Sequence, residues 1–183
     1  MRRRAVLLAA GLALTGCTKA APAQAPAFEA APASEAAPAS EAAPAKPAVT
    51  PKSLKFTGTT LEGAAFDAAS LAGKPALLWF WAPWCATCAS EAQSIGDVHE
   101  EYRDKLGIVG IAGMGTEKAM KEFVSDFELQ AVTTLNDPAG KIWQRFGIAQ
   151  QSWYVMIDPA GKIVHKGYLD DLQLTEKVRE LTA

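Results

Sequence analysis

A continuous apolar run that ends at a proline and two cysteines places the strongest limit on how this chain can fold. Residues Ala76 to Ala82, ALLWFWA, follow a turn at LAGKP and precede Pro83. An apolar run bounded in this way is typical of a central strand that is buried on both faces. Cys85 and Cys88 follow at once, and the residues from Ala86 to about Arg103 predict a helix. We therefore expect a strand, a cysteine-bearing turn and a helix in direct succession.

The residues from 53 to 183 predict one domain. The predicted elements around the first strand and helix are, in order, a hairpin at Leu54–Phe66, a strand at Gly107–Met114, a helix capped by Thr116, a short helix closed by Gly147, a hairpin of Trp153–Asp158 and Lys162–Tyr168, and a terminal helix from Asp170. The first half requires a parallel βαβ unit, and the last two strands form an antiparallel hairpin. The predicted fold class is therefore α/β, with a mixed central sheet flanked by helices and an N-terminal β-hairpin extension.

The first residues predict export. Met1 to Arg4 is positively charged, and Ala5 to Ala13 is an apolar run that is too short to span a membrane. Leu14 to Cys17, LTGC, resembles the lipobox of bacterial lipoproteins, in which the cysteine carries the lipid. Residues 1–17 are thus predicted to be a lipoprotein signal peptide that leaves the chain outside the cytoplasm, anchored to the cell membrane through Cys17. The alternative is an ordinary secretory signal with an incidental cysteine.

Residues 18–52 predict a disordered tether. Glu29 to Lys46 consists of three hexads, EAAPAS, EAAPAS and EAAPAK. A proline at a fixed place in each hexad excludes a helix, and the lack of apolar bulk favours a disordered chain with polyproline II character. Fully extended, such a segment would reach on the order of 100 Å at about 3.1 Å per residue. We expect it to hold the folded domain off the membrane.

The cysteine count and the charge narrow the classes of function. With Cys17 acylated, Cys85 and Cys88 remain alone in an oxidising compartment, where disulfides persist. The two histidines, His99 and His165, are not at metal-ligand spacing from the cysteines, so we expect no metal site. Three of the 18 basic residues belong to the signal peptide, which leaves 15 basic against 20 acidic residues and a formal charge of −5. No basic block remains, and no nucleic-acid partner is expected.

The placement of the two cysteines favours redox chemistry over a structural link. Cys85 lies where a helix begins, and the free N–H groups and positive dipole end there stabilise a thiolate, so we predict a lowered pKa for Cys85. Cys88 lies one turn further in, where it can attack a mixed disulfide formed at Cys85. A structural disulfide across so short a loop would remove little entropy from the unfolded chain. We predict that Cys85 is the nucleophile, that Cys88 is the resolving thiol, and that their disulfide serves in place of any cofactor.

The motif FWAPWCATC and the order of elements resemble the thioredoxin fold, most closely the exported thiol–disulfide oxidoreductases of the TlpA and DsbE-like type. Further matches are Glu91, LND at Leu135–Asp137, WQRFGI at Trp143–Ile148 and VMIDPAGKIV at Val155–Val164. The pattern is especially similar to actinobacterial extracellular DsbE-like proteins, over Leu54 to about Leu181. The resemblance implies a membrane-tethered enzyme that exchanges disulfides with exported cysteine-containing proteins and with a membrane redox partner. We expect a monomer.

Two departures from the family pattern lie at the site. Trp79 replaces a buried acid of thioredoxins, so Glu91 is our candidate for proton transfer to Cys88, the alternative being a solvated glutamate on the helix surface. Ser152 replaces the fold's cis-proline. We expect Ser152 to approach the disulfide or a bound metal, and the backbone of Gln151 to pair with an extended substrate.

Further expectations concern substrate contact and the direction of electron flow. Trp84 is predicted to flank the reactive sulfur as an apolar docking surface, whereas Met114 and Met156 are predicted to lie in the core. Ala86–Thr87, between the cysteines, favours neither redox state. The actinobacterial resemblance favours an oxidant, and the wider TlpA family implies a reductant in cytochrome c maturation. A Cu(I)-binding metallochaperone, with the two thiolates as ligands, is the alternative from a different class.

Overall fold

The structure is a computed structural model that describes residues 50–183. The predicted signal peptide, with Cys17, and all but the last three residues of the predicted tether lie outside this range. Across residues 50–183, none of the helices combines the length and the apolar character that a membrane span requires.

Residues 50–183 form seven strands and four α-helices. In chain order these are β1 Thr57–Thr59, β2 Ala65–Asp67, β3 Ala76–Trp81, α1 Ala86–Tyr102, β4 Gly107–Ala112, α2 Glu117–Asp126, β5 Thr133–Asn136, α3 Lys141–Phe146, β6 Trp153–Ile157, β7 Ile163–Gly167 and α4 Asp171–Thr182. The predicted caps are present as well: the Thr116 side chain caps α2, and α3 ends at Gly147 in the left-handed conformation.

The central sheet has the strand order β5–β4–β3–β6–β7. Strand β3 pairs in parallel with β4 and antiparallel with β6, while β4 pairs in parallel with β5 and β6 antiparallel with β7. Strands β1 and β2 form a separate antiparallel hairpin. The predicted mixed sheet and the N-terminal β-hairpin are therefore confirmed, with β3 in the middle of the sheet.

The order of elements predicted from the sequence lacked strand β5. Its four residues pair in parallel with β4, and Leu135 is opposite Ile111. Leu135 is the one apolar residue of the four, so the segment carries no apolar run from which to predict a strand. Pairing with β4, a contact distant in sequence, makes it part of the sheet.

Alternate residues of β3 face two separate apolar cores. Leu77, Trp79 and Trp81 pack in a first core together with residues of α1, α2 and α4. Leu78 and Phe80 pack in a second core together with α3 and with residues that flank the β1–β2 hairpin. This alternation is the period of a strand, and it accounts for the continuous apolar run in the sequence. Helices thus cover both faces of the sheet.

Asp137 joins the end of β5 to the start of α3. Its carboxylate is buried and accepts hydrogen bonds from the backbone N–H groups of Lys141, Ile142 and Trp143, at 2.8, 2.8 and 3.1 Å. The first N–H groups of a helix have no partner within the helix, and a negative charge there is favourable. The LND motif therefore has a structural role, because Asp137 fixes α3 and the Trp143 side chain on the second core.

Two glycines that differ in their surroundings test this packing. A Cβ at Gly113, directly after β4, would lie 2.8 Å from the ring of buried Trp143. Gly113→Ala is expected to lower the free energy of unfolding by about 1–3 kcal/mol through overpacking. Gly96 in α1 has its nearest neighbour 3.9 Å from the same position, so Gly96→Ala is expected to raise the free energy of unfolding by about 0.5–1 kcal/mol. Urea denaturation measures both, and equal stabilities of the two variants would contradict the packing described.

Candidate active site

A disulfide between Cys85 and Cys88 lies at the start of α1. Strand β3 ends at Trp81 and leads into a turn in which Cys85 is the N-cap of the helix, with φ −83° and ψ 110°. The backbone N–H of Cys88 donates to Cys85 Sγ at 3.0 Å, and the two Cα atoms are 5.2 Å apart. The backbone N–H of Cys88, in the first turn of α1, is thus directed at the Cys85 sulfur.

The two cysteines differ in their access to solvent. Cys85 retains 4% of its surface, whereas Cys88 retains none and packs in the first core. A thiol approaching from solvent therefore meets Cys85 before Cys88. The roles predicted from the sequence, nucleophile for Cys85 and resolving thiol for Cys88, remain predictions.

Trp84 and Met114 form an apolar rim next to the disulfide. The Trp84 indole Nε1 donates to the Met114 carbonyl oxygen at 2.7 Å, and the two side chains are 57% and 52% exposed. The prediction of Met114 as a core residue was wrong, because β4 ends at Ala112 and Met114 lies beyond it at φ 55°. Met156 is buried in β6, as expected.

Glu91 lies in the interior, three residues after Cys88. Its side chain is 3% exposed, which excludes the alternative of a solvated glutamate on the helix surface. The Trp79 indole Nε1 donates to Glu91 Oε2 at 3.0 Å, and the Ser152 hydroxyl donates to Glu91 Oε1. Residues three apart are neighbours on one helix face, so the carboxyl lies on the same buried face of α1 as Cys88.

Burial raises the pKa of Glu91, because a carboxylate loses its hydration in the core. The hydrogen bonds from Ser152 and Trp79 act in the opposite direction but do not cancel this effect, and the charge of Asp171 adds to it. Tyr154 faces the same carboxyl: burial and the Glu91 charge raise the pKa of its phenol. Among residues 50–183 the Tyr154 hydroxyl has no hydrogen-bond partner of standard geometry.

Ser152 has a conformation that proline does not adopt. Its φ is 64°, and its backbone N–H donates to the Phe80 carbonyl oxygen at 2.8 Å. A proline at this position would have φ near −65° and no N–H to donate. Ser152 is buried, and its hydroxyl is directed to Glu91, not to the disulfide as we had expected. Gln151, directly before it, is half-buried.

The sequence did not identify Trp79 and Tyr154 as parts of the site. The sequence indicates Trp79 only as the replacement of an acid, whereas in the structure its indole N–H donates to Glu91, the candidate for proton transfer. A signal was available, because a buried tryptophan or tyrosine generally needs a partner for its polar atom. Both residues lie on strands that were predicted correctly, on the face that packs against α1.

The described part of the chain offers few ligands for a metal ion. Across residues 50–183, no three side chains of His, Cys, Asp or Glu are grouped so that they could bind one. His99 and His165 are half-buried, and burial lowers the pKa of His165. A metal ion at the candidate active site would have the thiolates of Cys85 and Cys88 as its ligands.

Comparison with known families and proteins shows which family the chain matches. The Redoxin family model matches residues 24–181. The soluble secreted antigen MPT53 of Mycobacterium tuberculosis is 48% identical over 102 residues, which are 56% of this chain and 58% of the relative. The thiol-disulfide oxidoreductase ResA of Bacillus cereus is 30% identical over 112 residues, 61% of this chain and 64% of the relative. The chain thus spans less than two thirds of the length of these curated relatives.

Solved structures are similar over more of their length. MTB dsbF, solved in its mixed oxidized and reduced forms, is 40% identical with a TM-score of 0.69, covering 73% of this chain and 100% of its own. A secreted Mycobacterium tuberculosis disulfide oxidoreductase homologous to E. coli DsbE is 39% identical with a TM-score of 0.66, covering 71% and 98%. The predicted thioredoxin fold and the predicted resemblance to DsbE-like and TlpA-like proteins are confirmed.

The burial of Glu91 predicts that the stability of the fold depends on pH. The pKa of Glu91 in the folded chain lies above the value of about 4.3 for an unfolded chain, so between the two values the folded state binds more protons. The contribution of Glu91 to the free energy of unfolding therefore falls as the pH rises through this window, and is constant above it. Glu91→Gln is expected to lack this fall.

Urea denaturation at a series of pH values measures the difference in stability between wild type and Glu91→Gln. Glu100→Gln, at an exposed position of the same helix, is the matched control. A difference between wild type and Glu91→Gln that stays constant from acidic to neutral pH would contradict the assignment.

Proposed function

Because the chain belongs to the Redoxin family, we propose that its thioredoxin-like domain, residues 53–183, is a thiol–disulfide oxidoreductase that exchanges disulfides with exported cysteine-containing proteins. One observation carries the proposal: the Cys85–Cys88 disulfide caps α1, and of the two sulfurs only that of Cys85 belongs to a residue that reaches the surface. Such a pair has a thiol for attack and a protected thiol for resolution.

In the reducing direction, the Cys85 thiolate attacks one sulfur of a substrate disulfide. The substrate S–S bond breaks, a mixed disulfide forms, and the other substrate sulfur leaves as a thiolate. The Cys88 thiolate then attacks Cys85 Sγ, which releases the second substrate thiolate and forms the Cys85–Cys88 bond. Two electrons pass to the substrate, and its two thiolates take up two protons. The N–H groups at the start of α1 stabilise the Cys85 thiolate in the first step.

In the oxidising direction, a substrate thiolate attacks Cys85 Sγ and the Cys85–Cys88 bond breaks. The Cys88 sulfur then leaves as a thiolate that is buried in the core. A thiolate without solvent is costly, so Cys88 has to gain a proton there. Glu91 is the acid on the same buried face of α1, and its raised pKa suits a group that gives and takes a proton. Glu91 is therefore the proton-transfer residue for Cys88, in the place of the acid that Trp79 replaces.

Substrate contact is assigned to the apolar rim and to Gln151. Trp84 and Met114 expose large apolar side chains beside the disulfide, and they suit an apolar side chain near the substrate cysteine. The half-buried Gln151 lies two residues before the start of β6, and its backbone is the place where an extended peptide can pair. Together these residues hold the substrate sulfur in line with Cys85.

The domain acts outside the cytoplasm in this proposal, on a lipid anchor at Cys17 and behind the tether of residues 18–52. The relative MPT53 is a soluble secreted antigen, which supports an exported site of action. The domain acts as a monomer, and a membrane redox partner returns the Cys85–Cys88 pair to its working state. Resemblance to the actinobacterial group favours an oxidant, and the reductant of cytochrome c maturation is the alternative.

Capture of the mixed disulfide tests the exchange activity. In the full chain, Cys17→Ser leaves Cys85 and Cys88 as the only cysteines. Adding Cys88→Ser is expected to trap a substrate peptide on Cys85, visible by mass spectrometry, because the resolving thiol is gone. Adding Cys85→Ser instead is expected to trap little, because Cys88 is buried. Equal trapping by the two variants, or none by either, would contradict the assigned roles.

The reduction potential of the Cys85–Cys88 pair tests the direction. We expect the Cys17→Ser chain, equilibrated against glutathione, to give a value nearer to that of strong oxidants, about −120 mV, than to the thioredoxin value of about −270 mV. A value at the thioredoxin end would favour the reductant of cytochrome c maturation. If the reduced chain forms no internal disulfide and binds Cu(I) tightly in a one-to-one titration, the metallochaperone alternative is correct.

A further inference from the structure

The carboxyl of Glu91 is held by two donors that come from distant parts of the chain. Trp79 on β3 donates to Oε2 at 3.0 Å, and Ser152, on the segment that enters β6, donates to Oε1. Each oxygen therefore has one protein partner, and the side chain is 3% exposed, so water has little access. A buried carboxyl without such donors would be strongly disfavoured.

The backbone of Ser152 is fixed by a hydrogen bond and has a conformation that is unusual for a serine. Its backbone N–H donates to Phe80 on the neighbouring strand, and its backbone is in the left-handed region at φ 64°. A residue other than glycine in that region costs free energy, which persists only where the surroundings enforce it. The position also lies where the fold normally has a proline, which has no hydroxyl. The hydroxyl of Ser152 is therefore a feature of this chain's own site.

We propose that Ser152 is a positioning residue: its hydroxyl holds the Glu91 carboxyl in one orientation behind Cys88 and sets the pH range in which Glu91 exchanges its proton. This inference deepens the proposed function and rests on it. The step concerned is the transfer of one proton between the Glu91 carboxyl and the Cys88 sulfur, which accompanies cleavage or formation of the Cys85–Cys88 bond.

The chemistry of the two donors explains why Ser152 is suited to this role. The Trp79 indole can only donate, so it stabilises the carboxylate and has no acceptor to offer a protonated carboxyl. The Ser152 hydroxyl can donate to the carboxylate and, by rotating, accept from the carboxylic acid. Ser152 can therefore keep a hydrogen bond to Glu91 in both protonation states, as a group that cycles its proton requires.

Other titratable groups face Glu91 from each element around it. Cys88 lies on the same helix and Cys85 is its N-cap, Tyr154 faces Glu91 from β6, and the charge of Asp171 acts on Glu91 from the start of α4. Asp171 and the buried Tyr154 are unchanged by a substitution at Ser152, so they form a constant background. A shift on removal of the hydroxyl can then be assigned to Ser152.

A direct titration of Glu91 tests the inference. The full chain with Cys17→Ser, labelled with ¹³C at glutamate carboxyl carbons and kept oxidised, gives a Glu91 signal that Glu91→Gln identifies. Ser152→Gly removes the hydroxyl and suits the left-handed backbone. Its Glu91 midpoint is expected to rise by about one pH unit, because the lost hydrogen bond is stronger to the carboxylate than to the carboxylic acid. Ser152→Ala, which retains a Cβ, is expected to show the same rise.

Two controls keep the result specific. Ser90→Ala removes a hydroxyl from the same helix, at an exposed position where it donates to the Thr87 carbonyl oxygen, and is expected to leave the midpoint unchanged. Ser152→Asn tolerates the left-handed backbone and restores a donor, so its midpoint is expected to lie between those of wild type and Ser152→Gly. In Ser152→Gly, the pH profile of the disulfide-exchange rate is expected to move by the same amount as the midpoint.

The outcomes separate this inference from the proposed function. An unchanged Glu91 midpoint in both Ser152→Gly and Ser152→Ala would overturn the role of Ser152, even if the wild-type chain exchanges disulfides. A shifted midpoint with an unshifted exchange profile would overturn the link between Ser152 and proton transfer at Cys88. If no variant, wild type included, exchanges disulfides, the proposed function fails, although the titration still reports the contact between Ser152 and Glu91.

Discussion

Strand β3 is buried on both faces, and the rest of the structure depends on that constraint. Each side chain from Ala76 to Trp81 is enclosed, so helices have to cover the sheet on both sides and strands have to flank β3 on both edges. The chain leaves β3 directly into the turn of Cys85 and returns as α1 across the first core. The disulfide therefore lies at the end of the most enclosed strand of the sheet, where its position is set by the core itself.

The same enclosure buries the polar groups of the candidate active site. The Cys88 sulfur is buried on α1, and the acid that we propose for its proton transfer is buried with it; a buried carboxyl is costly unless its oxygens are paired. Trp79 lies on the face of β3 that packs against α1, and its indole pairs one oxygen of Glu91. In our proposal Glu91 on the helix takes the place of the acid that thioredoxins have on the strand, and Trp79 at that strand position donates to it. Ser152, on the segment that enters β6, donates to the other oxygen of Glu91.

Patterns that act over a few residues predicted much of the fold. The enclosed strand, the helix start at the cysteines, the N-cap Thr116 and the hairpin of β6 and β7 each depend on neighbours in sequence, and all are present. Strand β5 was missed because its pairing with β4 is a distant contact, and the exposure of Met114 was missed because β4 ends earlier than its apolar run suggested. In both cases the backbone partner, not the local pattern, decides where a strand exists and where it stops.

The sequence by itself determined that two thiols stand one turn apart at the start of a helix, because a three-residue separation on a helix is a local geometric fact. It also determined that Glu91 follows one turn later. Only the tertiary structure decided whether Glu91 is a solvated surface residue or a buried acid. The reason is that its hydrogen-bond donors lie 12 and 61 residues away in the sequence. Trp79 and Ser152 reach the carboxyl only after the sheet has formed and α1 has packed on it, and burial then sets its chemistry.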